Sequence, residues 1–263
     1  MTDIDAPIPS ETSEPQKTLE KPFVREALEI ARTVGLALLI ALVLRIVLFQ
    51  PFTIPSDSME PNLLKGDYLV VSKSSYGWSR YSIPFAPPII KDRIFERTPK
   101  RGDVVVFSQM RDGKSVDFVK RLIGLPGDRI QVTRGVVHIN GEAVRQEWLG
   151  LTTDPDNPAR QVMKVRETLG KKSWIVFVES PDLPAENTAE YVVPEGRYFM
   201  MGDNRDNSLD SRWPEGFGMG FVRKDTLQGR VFGVLASWKG GATWNPWTWV
   251  SRLDPSRLFH GVR

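Results

Sequence analysis

The chain has no cysteine, and only two of its 263 residues are histidine, His138 and His260. Without thiols there can be no disulfide, no thiolate metal site and no cysteine nucleophile, although the lack of Cys identifies no redox compartment. Two histidines cannot build a His-based metal cluster, and they leave a Ser-His-Asp triad few places to go. An excess of charge of one sign is also missing. The 35 Lys and Arg are scattered among 32 Asp and Glu, giving a formal charge of +3. No basic stripe of the kind that grips nucleic acid stands out, and no internal repeat is visible. Residues 1–27 begin with a stretch rich in Pro, Glu, Asp, Ser and Thr that offers little to bury, and they read as a disordered tail.

The first strong positive feature is the apolar run from Ile30 to Phe49, IARTVGLALLIALVLRIVLF. As a helix, twenty such residues span about 30 Å, the thickness of a bilayer's hydrocarbon core. Arg32 and Arg45 lie near enough to its ends to snorkel toward headgroups. The reading is a membrane anchor over residues 28–50; the alternatives are a buried soluble helix and a cleavable signal peptide. A signal peptide would have a shorter apolar stretch followed by small residues, whereas Phe49, Gln50, Pro51 and Phe52 follow here. Lys17, Lys21, Arg25 and Arg32 precede the apolar core and favour a cytoplasmic N-terminus. The large C-terminal part is then expected on the outer side of the membrane, which in a bacterium is the periplasm or the outer face.

Beyond the anchor the signals are nearly all β. Short β-branched and aromatic runs at 67–73, 103–108, 129–133, 136–139, 174–178, 197–201 and 229–235 alternate with Gly, Pro and Asp turns. Asn140-Gly141, between Val136-Val-His-Ile139 and Glu142-Ala-Val144, predicts a tight hairpin with His138 as a strand side chain. Residues 77–101, with four prolines, read as an extended ribbon or loop, and 150–172 read as a polar loop. The end of the chain, 239–263, interleaves Trp244, Trp247 and Trp249 with Lys239, Arg252 and Arg257; this suits either a membrane interface or a packed β-edge.

Chemistry is sought first where the anchor ends, at Pro51-Phe-Thr-Ile-Pro-Ser-Asp-Ser-Met-Glu-Pro61. Pro51 and Pro55 stop a helix and favour extended chain, so the hydroxyls of Ser56 and Ser58 are expected to point the same way. One could then act as a nucleophile while the other donates to a developing oxyanion; the ordinary alternative is a polar juxtamembrane turn. With histidine scarce, a serine nucleophile needs another base. Lys120, among Phe118, Val119, Leu122, Ile123 and Leu125, can serve if those neighbours desolvate it. The ordinary alternative is a snorkelling strand lysine. A third segment, Gly202-Asp-Asn-Arg-Asp-Asn-Ser-Leu-Asp-Ser-Arg212, is dense in hydrogen-bonding groups. Ser208 could orient a neutral lysine and an Asp210-Arg212 pair could fix the loop, against the alternatives of a solvated turn or a calcium-type loop.

In that order behind an N-terminal anchor, PFTIPSDSMEP, RGDVVVF, DFVKRLIGLPGD and GDNRDNSLDSR resemble the sequence boxes of bacterial type I signal peptidase (leader peptidase). The resemblance covers roughly residues 50–128 and 196–238. It implies that Ser58 is the nucleophile and Lys120 the general base. Ser56 then joins the Ser58 N–H in the oxyanion hole, Ser208 positions Lys120, and Asp210, Arg212 and Asp103 support. Phe52, Ile54, Met59, Leu63, Val106, Phe118 and Val119 match positions that line shallow pockets for small side chains, the basis of an Ala-x-Ala preference. The implied fold is mostly β, a single transmembrane helix followed by a two-part β-sheet body. A catalytic core of residues 51–128 and 196–238 is interrupted by an inserted β domain at 129–195. The implied partners are preprotein signal peptides, the lipid bilayer and the secretion translocon, and no metal or other cofactor is required. Asp57 stands where many members have Gly, and Trp213-Pro-Glu-Gly-Phe-Gly-Met-Gly-Phe-Val222 is longer than the usual sequence there. A non-catalytic anchored β scaffold of the export machinery is the rival from another class.

Overall fold

The computed structural model describes residues 22–47, 49–83, 87, 90, 92–155, 157–240, 245 and 247–262. The predicted tail lies outside these up to Lys21. A helix, α1 (Pro22–Val47), follows and starts six residues before Leu28. Its side chains are described from Val24 to Val43. That stretch carries Arg25, Glu26, Glu29 and Arg32 in its first half, while the apolar run in the sequence continues to Phe49. Among the described residues no helix is long and apolar enough to cross a membrane.

Residues beyond the helix form a mostly β body. Its main sheet has the order β1 (Phe49–Thr53), β2 (Asp67–Ser72), β14 (Leu227–Ser237), β3 (Val104–Arg111), β4 (Lys114–Gly124), β12 (Arg197–Met201), β13 (Val222–Arg223), with β15 (His260–Gly261) pairing β14. Val104, Val105, Val106 and Phe107 of β3 are all buried, so this strand is covered on both faces and reads as a continuous apolar run. Gly229 in β14 is required by close approach: a Cβ there would lie 2.5 Å from the Ser72 carbonyl oxygen.

Two smaller sheets come from the segment between β4 and β12. One runs β11 (Tyr191–Val192), β5 (Arg129–Thr133), β6 (Val136–Ile139), β7 (Glu142–Ala143); the other runs β10 (Lys172–Val178), β9 (Gln161–Leu169), β8 (Arg145–Thr153). Asn140 and Gly141 have φ of 55° and 85°, as a primed hairpin turn demands. His138 pairs with Ala143 as an ordinary strand residue. The polar loop expected at 150–172 is instead the end of β8 and the whole of β9, with Arg160 between them pairing with Asp154 at 3.1 Å. β8 is an edge strand with largely exposed side chains, so a charged cross-strand pair, Arg166 with Glu147, replaces an apolar pattern.

Three buried clusters hold the body together. Ile54, Met59, Leu63, Leu69, Val71, Val104, Val106, Val231 and Val234 form one, under the turn that follows β1. A second joins Ile123, Phe199 and Met201 of the main sheet to Ile130, Val132, Val137, Trp174 and Val176 of the smaller sheets, so the insert shares a core with the main sheet. The third surrounds Phe107, Leu122 and Met200. The C-terminal segment carries a short helix, α2 (Trp247–Arg252), in which Trp247 is exposed. Past it, Arg257 forks onto Asp67 at 2.9 and 2.5 Å and Val262 packs on the first cluster.

Candidate active site

Ser58 sits on a turn that the core pins in place. Ile54 leaves β1 by donating its N–H to the Asp67 carbonyl at 3.0 Å. The chain then turns, with Glu60 N–H donating to Asp57 O and Leu63 N–H to Met59 O, both at 3.0 Å. Met59 and Leu63, both fully buried, anchor this turn by their apolar side chains. The extended chain foreseen through Ser58 therefore ends at Asp57, because the two buried side chains at positions 59 and 63 demand a helical-type turn. The two hydroxyls still face one another: Ser56 Oγ lies 3.3 Å from Ser58 Oγ. Asp57 projects the other way into an ion pair with Lys65 at 2.5 Å, which offsets its charge beside the serine.

Lys120 reaches this turn from β4, where it pairs with Val105. Its amine is buried and hydrogen-bonded to Ser58 Oγ. Burial lowers the Lys120 pKa from 10.5 to about 8, while the carboxylates of Asp210 and Asp203 pull it upward and the Arg212 guanidinium pushes it down. At mildly alkaline pH a large fraction of the amine is therefore neutral and able to accept a proton from the serine.

The third wall is the loop leaving β12. Asn204 donates its N–H to the Ser58 carbonyl at 3.1 Å. Gly202 is wedged between the two segments: a Cβ would lie 2.3 Å from Ser208 Oγ and 2.5 Å from the Ser58 carbonyl oxygen, so only glycine lets them meet. Ser208 is buried here, and its hydroxyl has no hydrogen-bond partner among the described residues. Asp210 accepts from Gly202 N–H at 2.9 Å and from both Nε and Nη2 of Arg212 at 2.9 Å. This Asp210-Arg212 fork holds the loop by charge-assisted bonds.

Six of the seven apolar residues expected to line the pockets, Phe52, Ile54, Met59, Leu63, Val106 and Val119, belong to the single cluster under Ser58. Phe118 packs elsewhere, against Phe107 in the third cluster, because neighbouring residues on β4 point to opposite faces. Among the described residues no hydrogen bond or ion pair joins Asp103 to Ser58 or Lys120. It accepts from Tyr76 Oη at 3.0 Å and Lys172 Nζ at 2.6 Å. It also lines a cavity of about 440 Å³ with Lys171, Lys172 and Arg230 in which neither Ser58 nor Lys120 takes part. Among the described residues no cluster of His, Asp or Glu is arranged for a metal ion.

Several residues of the site escaped the reading of the sequence. Arg121, next to Lys120, forks onto Asp203 at 2.7 Å through both Nε and Nη2, with its guanidinium 4.5 Å above the Trp174 ring. Asn62 donates to the same Asp203 at 2.7 Å. Arg205 forks onto Glu167 at 2.7 and 2.5 Å. The density of Arg and Asp in GDNRD was the only local signal, since each partner lies far away in the chain.

The family model described as "Signal peptidase, peptidase S26" matches residues 27–237. The chain belongs to that signal peptidase family. Signal peptidase I of Rickettsia typhi is 39% identical over 246 residues, covering 85% of this chain and 89% of its own. Signal peptidase I of Rickettsia prowazekii is 42% identical over 187 residues, covering 68% and 70%. A crystal structure of a signal peptidase I from Enterococcus faecalis V583 is 30% identical and covers 51% of this chain and 97% of that one, with a TM-score of 0.29. Membership in a peptidase family makes the chain an enzyme and sets aside a purely scaffolding β protein.

Proposed function

We propose that this signal peptidase is a serine endopeptidase with Ser58 as nucleophile and Lys120 as general base. It removes N-terminal signal peptides from exported preproteins after Ala-x-Ala-type sites. The observation that carries the reading is the buried amine of Lys120 hydrogen-bonded to Ser58 Oγ, with a pKa brought down to about 8. Neutral Lys120 takes the Ser58 proton as Oγ attacks the carbonyl carbon of the final signal-peptide residue. The oxyanion is received by the Ser58 N–H and the Ser56 hydroxyl. Lys120 returns the proton to the departing amine, leaving an ester on Ser58. Water deprotonated by the same amine hydrolyses that ester and regenerates the serine.

Ser208 is assigned to orient the amine, a role that its buried, unpartnered hydroxyl supports. Asp210 and Arg212 hold the loop that brings Ser208 there, and Asp103 supports the junction with the insert. The pocket-lining residues are Phe52, Ile54, Met59, Leu63, Val106 and Val119, without Phe118. Shallow apolar pockets of this kind accept a methyl and overpack on anything longer. The apolar run through Phe49 anchors the chain in the cytoplasmic membrane, with the β body on the outer side beside the lipid surface and the translocon that delivers its substrates.

Cleavage of a preprotein bearing an Ala-x-Ala site by the purified protein in detergent tests this, with folded Lys120→Ala in parallel. The expected result is a single cut after the last Ala by the wild type and none by the variant. Equal cleavage by both would remove Lys120 from the mechanism.

A further inference from the structure

The insert between β4 and β12 grips the loop that carries Ser208. Phe177 N–H donates to Asp203 O at 2.9 Å, and Glu179 N–H donates to Asp206 Oδ2 at 2.6 Å. Two carboxylates of the insert also meet the two buried arginines of the loop, and they differ in an informative way. Glu167 on β9 has both oxygens engaged: by Arg205, by Trp174 Nε1 at 3.0 Å and by Gln146 Nε2 at 3.2 Å. It behaves as a saturated structural clamp.

Glu186 is fully buried, and only one of its oxygens is used. Oε1 accepts from Arg212 Nη1, whereas Oε2 has no partner among the described residues. An apolar side chain in that place would avoid the desolvation of a half-satisfied carboxylate, so its retention calls for a role beyond stability. Arg212 is the link: the same guanidinium that Glu186 holds on one edge forks onto Asp210 on the other, and Asp210 in turn accepts from Gly202 beside Ser208 and Ser58.

We propose that Glu186, supplied by the insert, is a positioning residue of the active site: it presses Arg212 against Asp210 and so sets both the place of the Ser208 loop and the charge that Lys120 faces. This rests on the Ser58-Lys120 reading given above. The charged groups acting on Lys120 are Asp210, Asp203 and Arg212, with the Ser58 hydroxyl at the amine itself. Those acting on Glu186 are Arg212, Arg205 and Asp206. Glu186 and Asp210 together offset Arg212, whose charge favours the neutral amine. Removing the Glu186 charge leaves that of Arg212 less offset, and Arg212 favours the neutral amine, so the amine gives up its proton at lower pH.

The test is the pH dependence of kcat/KM for preprotein cleavage by the full chain in detergent, comparing wild type with Glu186→Gln, Glu167→Gln and Lys120→Ala. For Glu186→Gln the rising limb is expected to move acidic by about half a pH unit, and its plateau to fall about tenfold. For Glu167→Gln, which removes a clamp on Arg205 and leaves Arg212 held, the midpoint of urea unfolding falls and the limb stays in place. An unshifted limb with a wild-type plateau in Glu186→Gln overturns the proposal. If Glu186→Gln does not fold, Glu186→Asp carries the test by withdrawing the carboxylate one methylene: a lowered plateau supports the proposal and wild-type kinetics overturn it. Lys120→Ala separates two failures. Wild-type cleavage by that variant removes the Ser-Lys reading itself; its inactivity beside an unchanged Glu186→Gln removes only the role of Glu186.

Discussion

Replacing Lys120 by Met is expected to abolish cleavage and, near neutral pH, to make the protein more stable. Met keeps most of the volume and discards the charge. Burial takes the amine from 10.5 to about 8, so keeping it protonated in the folded chain below pH 8 costs about 3 kcal/mol. The sign follows from proton counts. Between about 8 and 10.5 the unfolded chain holds a proton that the folded chain has released, so wild-type stability climbs with pH across that window. Below about 8 both states hold it and the penalty is constant. The Met variant lacks this dependence, and it also loses the hydrogen bond to Ser58, a loss of about 1 kcal/mol. Its net advantage is therefore about 2 kcal/mol at pH 7, shrinking through pH 8 to 10 and reversing above. Urea unfolding of the full chain in detergent, followed by tryptophan fluorescence over this pH range, reads both midpoints. A gap that does not change with pH, or a Met variant less stable at pH 7, would refute the claim that this amine is held in a desolvated site.

Other expectations are smaller in scope. Ser56→Ala should lower kcat about a hundredfold or more at nearly unchanged KM, as loss of one oxyanion donor does, and steady-state kinetics on a preprotein substrate check it. Gly202→Ala should disable cleavage and lower stability by about 1–3 kcal/mol, because the new methyl meets Ser208 and the Ser58 carbonyl at 2.3 and 2.5 Å; activity and a urea midpoint together show this. Asp203→Asn leaves the guanidinium of Arg121 buried without its counter-charge and should cost about 3–5 kcal/mol, measured by the same unfolding curves.

Much of the architecture was legible because its signals are local. The seven β-branched and aromatic runs all appear as strands, and Asn140-Gly141 makes its turn, since alternation and turn chemistry act within a few residues. β8 and β9 were missed for the converse reason: β8 is a largely exposed edge strand held by pairs such as Arg166 with Glu147, and β9, central in its sheet, mixes buried Val162 and Val165 with charged residues and shows no clean apolar period. At the site, scarce histidine pointed to a serine at 56 or 58 and to Lys120 as candidates, and only the resemblance singled out Ser58, whose hydroxyl the Lys120 amine meets. The fork of Arg121 on Asp203 spans 82 positions and the single bond of Arg212 to Glu186 spans 26, and no window of sequence displays such a partnership. Phe118 was misplaced by one step of strand alternation, the kind of register detail that only the pairing of β3 with β4 determines.

The fork of Arg257 on Asp67, with its further bond to the Asn62 carbonyl at 3.1 Å, ties one of the last residues of the chain to the turn that bears Ser58. The ribosome makes Ser58 well before either Asn204 or Arg257. Until that arginine emerges, the segment holding the serine lacks its final brace, and until residue 204 emerges it lacks the neighbour that caps the Ser58 carbonyl. The turn that bears Ser58 is thus closed by two segments far from it in the chain, and it takes its final shape only when both have docked.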